Sequence, residues 1–425
     1  MTPSTAAARK PPALAAQALM FTGVALVLLG NYYVYDCIAP IAKLLSSQLH
    51  FSDTQIGTLN AIYSLPNIFL VVVGGVFVDR YSARVMVLIT TIICLAGAIL
   101  TACGDQFWVM AAGRLLFGIG AETLVVAVMV ALAQWFTGGH WFALLLALNL
   151  ALARLGSWLA DRSPSFAPDL YAGGWQPPMW LGAGFAVLSC AGALLYFYID
   201  RREAPRGTLT LPPPPDRIDW SQVSRFAGGY WMLVVACVTF YSVIFPFRST
   251  FAIKYLQDAQ GLSLEQASTL NSYVFLAAFW ATPVFGLLLD RTGRNNMLLV
   301  AGSVLLPASF IVLGLVPAGA GISTALLGLS FSLLPAVLWP TVPKYSTPAN
   351  LGTAYGLMTT LQNAGLFGAN LAAGYLNDVN HASASNPGGY APMLWFFGIL
   401  SFIAFACMLA LWVGGWRRPA AVAGT

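Results

Sequence analysis

Charged residues are scarce in this sequence of 425 amino acids. Asp, Glu, Lys and Arg together make up 8% of the chain, whereas hydrophobic residues make up 58% and the mean hydropathy is +0.75. A soluble globule of this length needs more polar surface than such a composition supplies. The composition therefore excludes an ordinary soluble protein and predicts a chain that lies in a lipid bilayer.

Cysteine and histidine are also too few and too scattered to build a metal or catalytic centre. The six cysteines lie singly inside apolar stretches, and His50, His140 and His381 fall at predicted loop ends. Neither H-E-x-x-H nor G-K-[ST] occurs, and no Ser, His and Asp residues share a predicted depth in the membrane. We therefore expect no enzyme activity, no metal and no cofactor, and nothing supports ATP-driven transport.

Long apolar stretches are what the sequence has in abundance. Twelve of them, spread between residues 17 and 415, contain 18 residues or more. A helix of that length crosses a hydrocarbon core about 30 Å thick, whereas a membrane β-barrel would show short alternating segments. The predicted fold class is an all-α membrane protein with twelve transmembrane helices.

The sequence repeats itself after 211 residues. TQIGTLN at 54–60 matches EQASTLN at 265–271, and GGVFVDRYSAR at 74–84 matches FGLLLDRTGR at 285–294. Repeats of this kind build membrane transporters from two similar halves. We therefore predict two pseudo-symmetric six-helix bundles.

A polar, proline-rich segment at residues 200–225 separates the two copies. It predicts an N-terminal bundle at 1–199, a linker at 200–225 and a C-terminal bundle at 226–425. Fourteen of the twenty Lys and Arg residues fall on the side that holds the linker and both termini, which the positive-inside rule places in the cytoplasm. This bias explains the net charge of +5, so we expect no nucleic-acid binding.

The repeated motif carries an Asp-Arg pair at a predicted helix end in each half, Asp79–Arg80 and Asp290–Arg291. These charges can pair within a half at the cytoplasmic side. We predict a structural latch there and no contact with substrate.

Three charges inside predicted helices break the repeat and therefore belong to the N-terminal half alone: Arg114, Glu122 and Arg154. The positions 211 residues later hold Ala325, Leu333 and Gly365. A charge at the centre of a membrane helix costs about 2.5–3.5 kcal/mol on insertion scales, so such a residue marks a functional site by default.

Predicted depths in the membrane suggest partners for these charges. Asp36 and Arg114 both lie about 9 Å to the outer side of the midplane and are predicted to pair as a gating or structural bridge. Glu122 and Arg154 differ in depth by about 9 Å, roughly the separation of the charged ends of a small zwitterion. We interpret them as binding a ligand, and a buried Glu122–Arg154 ion pair stays open as the alternative. Arg248 is expected to reach the outer surface.

Other polar and aromatic residues fall inside the predicted helices at helical spacing. Helix packing stays open as their role. The substrate-binding candidates among them are Tyr32, Tyr35, Tyr63, Asn67, Trp339, Gln362 and Asn363.

Several motifs resemble those of a known family. GGVFVDR and GRLLFGIG resemble two signatures of the major facilitator superfamily, and NYYVYD, GRLLFGIGAETL and ALARLGS together resemble its lysosomal dipeptide uniporters. The resemblance implies that Glu122 meets the peptide ammonium and Arg154 meets the peptide carboxylate. Cys37 and Ile38 replace the Asn-Pro typical of those proteins, and apolar residues follow Glu122, which leaves side-chain selectivity open.

The predicted function is a secondary transporter for small zwitterions, foremost dipeptides, working as a uniporter by alternating access without ATP. A proton-coupled carrier of another small organic solute, using Glu122 or Asp36, and a non-transporting sensor on the same fold are the alternatives. We expect a monomer. We place it in a bacterial inner (plasma) membrane, because no N-x-[ST] glycosylation site and no sorting signal is visible.

Overall fold

The computed structural model describes residues 13–136, 142–203, 226–292, 295–316, 319–346 and 350–414. The chain in these ranges is almost entirely helical and contains no β-strand.

The first half begins with two helices that continue one another, because Cys37 between them keeps a right-handed helical conformation. After a capping box at Ser52 and Gln55, the chain turns back through the membrane. The helices of this half are α1 Leu14–Asp36, α2 Ile38–Gln48, α3 Asp53–Tyr81, α4 Ala83–Cys103, α5 Phe107–Phe136, α6 Phe142–Phe166, the short α7 Pro168–Ala172 and α8 Gln176–Glu203.

The second half begins with a helix that contains Pro246 near its end. Proline removes one helical N–H, and the next turn, Phe247–Phe251, has the wider π-helical form. The helices of this half are α9 Gly228–Pro246, α10 Ala252–Ala259, α11 Leu264–Thr292, α12 Asn295–Leu315, α13 Ala320–Thr341, α14 Leu351–Val379 and α15 Ala391–Val413.

Nine helical segments of the described chain are long and apolar enough to cross a membrane. Helices α3, α11 and α14 are 29 residues each, which is also long enough, and they carry more polar side chains. Asn60 of α3 and Asn271 of α11 each donate a hydrogen bond to the opposite half. The predicted all-α membrane fold with twelve long helical segments is confirmed.

Each half has its own helix packing and the two halves meet along two seams. In the first half α1 packs on α6 and α8, and α5 packs on α3 and α4; in the second, α9 packs on α14 and α15, and α13 packs on α11 and α12. The seams are α3 against α14 and α6 against α11. At the first seam a Cβ on Gly374 would lie 2.4 Å from the carbonyl oxygen of Asp53, so only glycine permits this approach.

Candidate functional site

A cavity of about 180 Å³ lies between the two halves. One water molecule needs about 10–15 Å³ of such space, so the cavity has room for a small organic molecule. Helices α1, α3 and α5 of the first half and α9 and α14 of the second form its wall. The lining residues are Asn31, Tyr32, Tyr35, Tyr63, Glu122, Val125, Tyr241, Phe245, Gln362, Asn363 and Leu366.

Glu122 supplies the negative charge of this wall. The hydroxyl of Tyr63 donates a long hydrogen bond of 3.4 Å to its Oε1. Tyr63 is held in turn by Tyr35, whose ring lies 4.7 Å away at a steep angle. Tyr35 and Tyr63 thus orient the carboxylate without neutralising it.

Arg154 lies beside the cavity on α6. Its Nη1 donates to the hydroxyl of Thr282 at 2.8 Å, and its guanidinium sits 5.1 Å from the ring centre of Phe331. Helix α6 comes close to α1 because Gly156 leaves space, since a Cβ there would lie 2.0 Å from the carbonyl oxygen of Leu29. Thr282 and Phe331 belong to the second half, so the second half contacts the positive charge of Arg154 at the site.

The two charges do not form the ion pair that the sequence left open. Among the ion pairs of the described residues, none joins Glu122 to Arg154. Tyr32 of the wall interacts electrostatically with both of them. The carboxylate and the guanidinium therefore face the same region of the protein from separate positions.

The structure brings six of the nine substrate-binding candidates into the wall: Tyr32, Tyr35, Tyr63, Glu122, Gln362 and Asn363. Arg154 stands next to it. Trp339 lies behind the wall, where its Nε1 donates to the hydroxyl of Tyr241 at 3.0 Å. Asn67 is fully buried outside the wall and donates to the carbonyl oxygen of Tyr63 in its own helix at 3.3 Å.

Five wall residues were not among the predictions: Asn31, Val125, Tyr241, Phe245 and Leu366. Helical spacing could have found two of them. Asn31 precedes Tyr35 by four positions, and Phe245 follows Tyr241 by four with the two rings stacked 5.9 Å apart. The aliphatic side chains of Val125 and Leu366 carry no signal that separates a cavity wall from ordinary packing.

Arg114 does not pair with Asp36, which corrects the sequence prediction. Its guanidinium is 1% exposed and makes four hydrogen bonds, to the carbonyl oxygens of Val34, Tyr35 and Leu59 and to Oδ1 of Asn60. The predicted depths of Arg114 and Asp36 are equal, but the side chain of Arg114 points from α5 toward backbone carbonyl groups of α1 and α3. Arg114 joins α5 to α1 and α3.

Asp36 instead pairs with Arg248, a residue that was wrongly expected to reach the surface. Nη1 of Arg248 donates to Oδ1 of Asp36 at 2.5 Å, and Nη2 donates to Asp161 of α6. The guanidinium also lies 3.9 Å from the ring centre of Phe275. All three charged residues are about 1% exposed or less. We call Asp36, Asp161 and Arg248 the ion cluster; it ties the two halves together.

Further polar contacts join the halves at the far end, by which we mean the end opposite the start of α1 and the end of α15. Lys254 forms an ion pair with Asp53, and Lys43 forms one with Asp258 at 2.7 Å. Both carboxylate oxygens of Asp378 accept backbone N–H groups at the start of α3, at 2.8 Å each. Together with the ion cluster, these contacts link the two halves at the far end.

The repeated Asp-Arg pairs lie at the other end. Asp79 and Arg80 are in α3, and Asp290 and Arg291 are in α11. Their side chains lie outside the described part of the structure, so the predicted latch stays a prediction.

The two helical halves around a central polar cavity define a class of protein, the secondary membrane transporters. Residues 24–370 match the Major Facilitator Superfamily, and the chain belongs to that family. It is an integral, multi-pass membrane protein and a transporter, not an enzyme.

Comparison with individual relatives narrows the resemblance further. The lysosomal dipeptide transporter MFSD1 of Danio rerio is 31% identical over 394 residues, which cover 90% of this chain and 82% of the relative. MFSD1 of Homo sapiens is 30% identical and covers 87% and 81%. The predicted resemblance to lysosomal dipeptide transporters is confirmed.

Solved structures agree on the fold. The nucleoside transporter NupG has a TM-score of 0.76 at 13% identity, covering 92% of this chain and 99% of that chain. An inward-facing, unoccupied bacterial homologue of the human lysosomal transporter Spinster has a TM-score of 0.73 at 13% identity, covering 96% and 100%. At this identity the similarity shows the fold alone.

Proposed function

We propose that this transporter moves small zwitterions, foremost dipeptides, by alternating access and without ATP. One observation carries the proposal: Glu122 and Arg154 flank one cavity between the halves and are not paired with each other. Glu122 binds the ammonium of the ligand and Arg154 binds its carboxylate. The dipeptide transporters among the relatives support this substrate class.

The energetics of buried charge favour this assignment. A charge in a membrane interior is costly unless it is paired. Within the described residues Glu122 receives the Tyr63 hydroxyl, and Arg154 has the Thr282 hydroxyl and the face of Phe331. A zwitterionic ligand supplies the two missing partners at once. A ligand with one charged end leaves the other protein charge unpaired.

The ion cluster is the proposed gate of the far end. Arg248 belongs to the second half, whereas Asp36 and Asp161 belong to the first, so opening the far end must separate them. Arg114 makes all four of its hydrogen bonds within the first half and is therefore proposed to be structural.

A proton-coupled carrier is the second candidate, and the ion cluster is the observation that favours it. Asp36 and Asp161 bring two buried carboxylates to the single guanidinium of Arg248. One bound proton would make the cluster electrically neutral, and neutral groups are favoured in a buried site. Transport measurements with and without a proton gradient separate the two candidates.

We also propose the domain division 1–199, 200–225 and 226–425, with both termini in the cytoplasm of a bacterial cell. The excess of Lys and Arg on the side of the termini supports this orientation.

The experiment that tests the substrate class compares capped and uncapped dipeptides. Purified protein is titrated with Ala-Ala, N-acetyl-Ala-Ala and Ala-Ala-amide, and binding is followed by thermal shift and calorimetry, because a ligand of the folded state stabilises it. We expect each cap to weaken binding at least about thirtyfold, since a buried charge left without its partner costs about 2–5 kcal/mol. Capped peptides that bind like Ala-Ala, or stabilisation by sugars or nucleosides in place of dipeptides, would make the proposal wrong.

A further inference from the structure

Two asparagines at the same position of the sequence repeat contact one turn of the chain. Asn60 ends the motif TQIGTLN of the first half, and Asn271 ends EQASTLN of the second half, 211 residues later. Each residue is 1% exposed. Both side chains donate to the π-helical turn Phe247–Phe251, which carries Arg248 of the ion cluster. The repeat therefore brings two related amides, one from each half, to the proposed gate.

Asn271 contacts both the backbone of Arg248 and one of its carboxylate partners. Its Nδ2 donates to the carbonyl oxygen of Arg248 at 3.2 Å and to Oδ2 of Asp161 at 3.0 Å. The same oxygen of Asp161 accepts from Nη2 of Arg248. Because both groups that Asn271 contacts are acceptors, its NH2 group must face them. Asn271 therefore fixes the arginine backbone and the carboxylate relative to each other.

Asn60 reaches the same turn from the opposite half. Its Nδ2 donates to the carbonyl oxygen of Ser249 and to the hydroxyl of Thr250, at 2.8 Å each. Its Oδ1 accepts from Nη2 of Arg114 at 2.6 Å, which orients the amide. The guanidinium that joins α5 to α1 and α3 thus also directs the two donors of Asn60 toward the second half.

The two asparagines differ in which of their contacts an opening of the far end would break. Both hydrogen bonds of Asn60 to the turn cross between the halves, and so does the bond of Asn271 to Asp161. The bond of Asn271 to the carbonyl oxygen of Arg248 lies within the second half and can persist. Only contacts that differ between two conformations shift their equilibrium. Asn60 therefore stabilises the closed far end, whereas Asn271 can also hold Arg248 in place when the far end is open.

We propose that Asn60 and Asn271 are positioning residues of the transport cycle. Asn271 holds the turn so that the guanidinium of Arg248 faces Asp36 and Asp161, and Asn60 holds this turn against the first half until the far end opens. Neither asparagine lines the cavity, so both act through Arg248 and not on the ligand. The inference rests on the proposed gate and goes beyond it, because closure then depends on neutral amides as well as on ion pairs.

The test measures a distance across the far end of the full-length protein, in nanodiscs and without ligand. Spin labels at the exposed Ser47 and Glu265 separate closed from open conformations. Asn60→Asp keeps an oxygen for Arg114 but loses both donors to the turn, and we expect it to raise the ratio of open to closed conformations at least about tenfold. Asn271→Ala removes a hydrogen bond to a charged group and should raise the ratio about tenfold.

Matched controls lie on the same two helices. Ser272→Ala and Thr58→Val each remove a hydroxyl that, in the described structure, hydrogen-bonds within its own helix, and they should leave the ratio unchanged.

A double variant separates positioning from a general loss of packing. Asp161→Asn alone should open the far end, because it removes an ion pair between the halves. In this background Asn271→Ala should change the ratio less than about threefold, since residues that act through one network are not additive. A packing defect would instead add its full effect in either background.

Several results would overturn the inference while leaving the proposed gate intact. With Asp161→Asn open as expected, they are a wild-type ratio in either Asn60→Asp or Asn271→Ala, an equal rise in the controls, or a full additional effect of Asn271→Ala in the double variant. If Asp161→Asn itself leaves the distance unchanged, the proposed gate fails and the inference falls with it.

Discussion

Arg154 can present a planar fork of donors to a carboxylate without breaking an ion pair. In the structure one terminal nitrogen donates to the neutral hydroxyl of Thr282, which itself lies 2.8 Å from the hydroxyl of Ser332. A hydrogen bond between ions is roughly twice as strong as one between neutral groups. It is therefore favourable for Arg154 to exchange the Thr282 hydroxyl for a ligand carboxylate. The hydroxyls of Thr282 and Ser332 can then still hydrogen-bond to each other.

Substitution of either site charge should abolish tight binding of Ala-Ala. Glu122→Gln removes the partner of the ammonium, and Arg154→Lys keeps the positive charge but loses the planar fork. We expect each to weaken binding at least about thirtyfold in calorimetry, since each contact is worth about 2–5 kcal/mol in a desolvated site. Glu265→Gln and Arg202→Lys are charge-matched controls at exposed positions and should bind like wild type. Wild-type affinity in correctly folded Glu122→Gln and Arg154→Lys would show that the two charges are structural.

Arg114 and Asp36 should respond differently to substitution, because only Asp36 belongs to the ion cluster. Arg114→Met removes four buried hydrogen bonds of the guanidinium and should lower the free energy of unfolding by at least about 2 kcal/mol, seen as a lower melting temperature. Asp36→Asn leaves the pair of Arg248 with Asp161 in place and should bind Ala-Ala within about tenfold of wild type, yet transport it slowly. An Arg114→Met protein as stable as wild type would contradict the structural role.

At the scale of the helices, the junction between α3 and α4 is strained. Ser82 has φ 69° and ψ 146°, a conformation that residues with a side chain rarely adopt. Such strain costs about 1–3 kcal/mol. Ser82→Gly should therefore raise the melting temperature, whereas Ser82→Ala should not. A lower melting temperature for Ser82→Gly would mean that the turn is not strained.

The start of α3 depends on a residue of the other half. Asp378 accepts two N–H groups there, which combines helix capping with a favourable charge at a helix N-terminus. Asp378→Ala should shift the equilibrium toward a far-end-open conformation by about tenfold, or about 1.4 kcal/mol. Spin labels at the exposed Ser47 and Glu265 would then report a longer distance between the two labels than in the wild-type protein. Asp169→Ala, at an exposed position of α7, is the control. Unchanged distances in Asp378→Ala would exclude Asp378 from the closure.

At the scale of the molecule, the two halves have different tasks. Glu122 and Arg154 both belong to the first half, whereas the second half contributes the cation of the ion cluster and the aromatic and amide groups that cover the cavity. In the proposed binding mode, the second half can therefore move over a bound ligand without releasing its charged ends. This is the geometry that alternating access around a fixed site requires.

Transport of Ala-Ala should be passive. Glu122 is the one acidic side chain of the cavity wall in the described structure, and the carboxylates of the ion cluster are paired with Arg248 outside that wall. In proteoliposomes, uptake should reach the external concentration without a pH gradient, and an imposed gradient should change the rate but not the final level. Accumulation above the external concentration would instead establish the proton-coupled carrier.

Much of the architecture could be predicted from the sequence, because it depends on local and additive properties. The length of apolar stretches sets the number of membrane crossings, and the 211-residue repeat sets the division into similar halves. The asymmetry between halves also singled out Arg114, Glu122 and Arg154. It did not separate the two charges at the cavity from Arg114, which bonds to α1 and α3 of its own half. These features require no knowledge of which helices touch.

Only the tertiary structure decided which charges meet. The sequence gives the depth of a residue along its helix, but a step of one residue rotates a side chain by about 100°, and depth contains no information on that rotation. Asp36 and Arg114 were predicted at one depth and yet face different neighbours, while Arg248, in the π-helical turn after Pro246, pairs with Asp36 of the other half. The same rotation placed Asn31 in the cavity wall and Asn67 outside it.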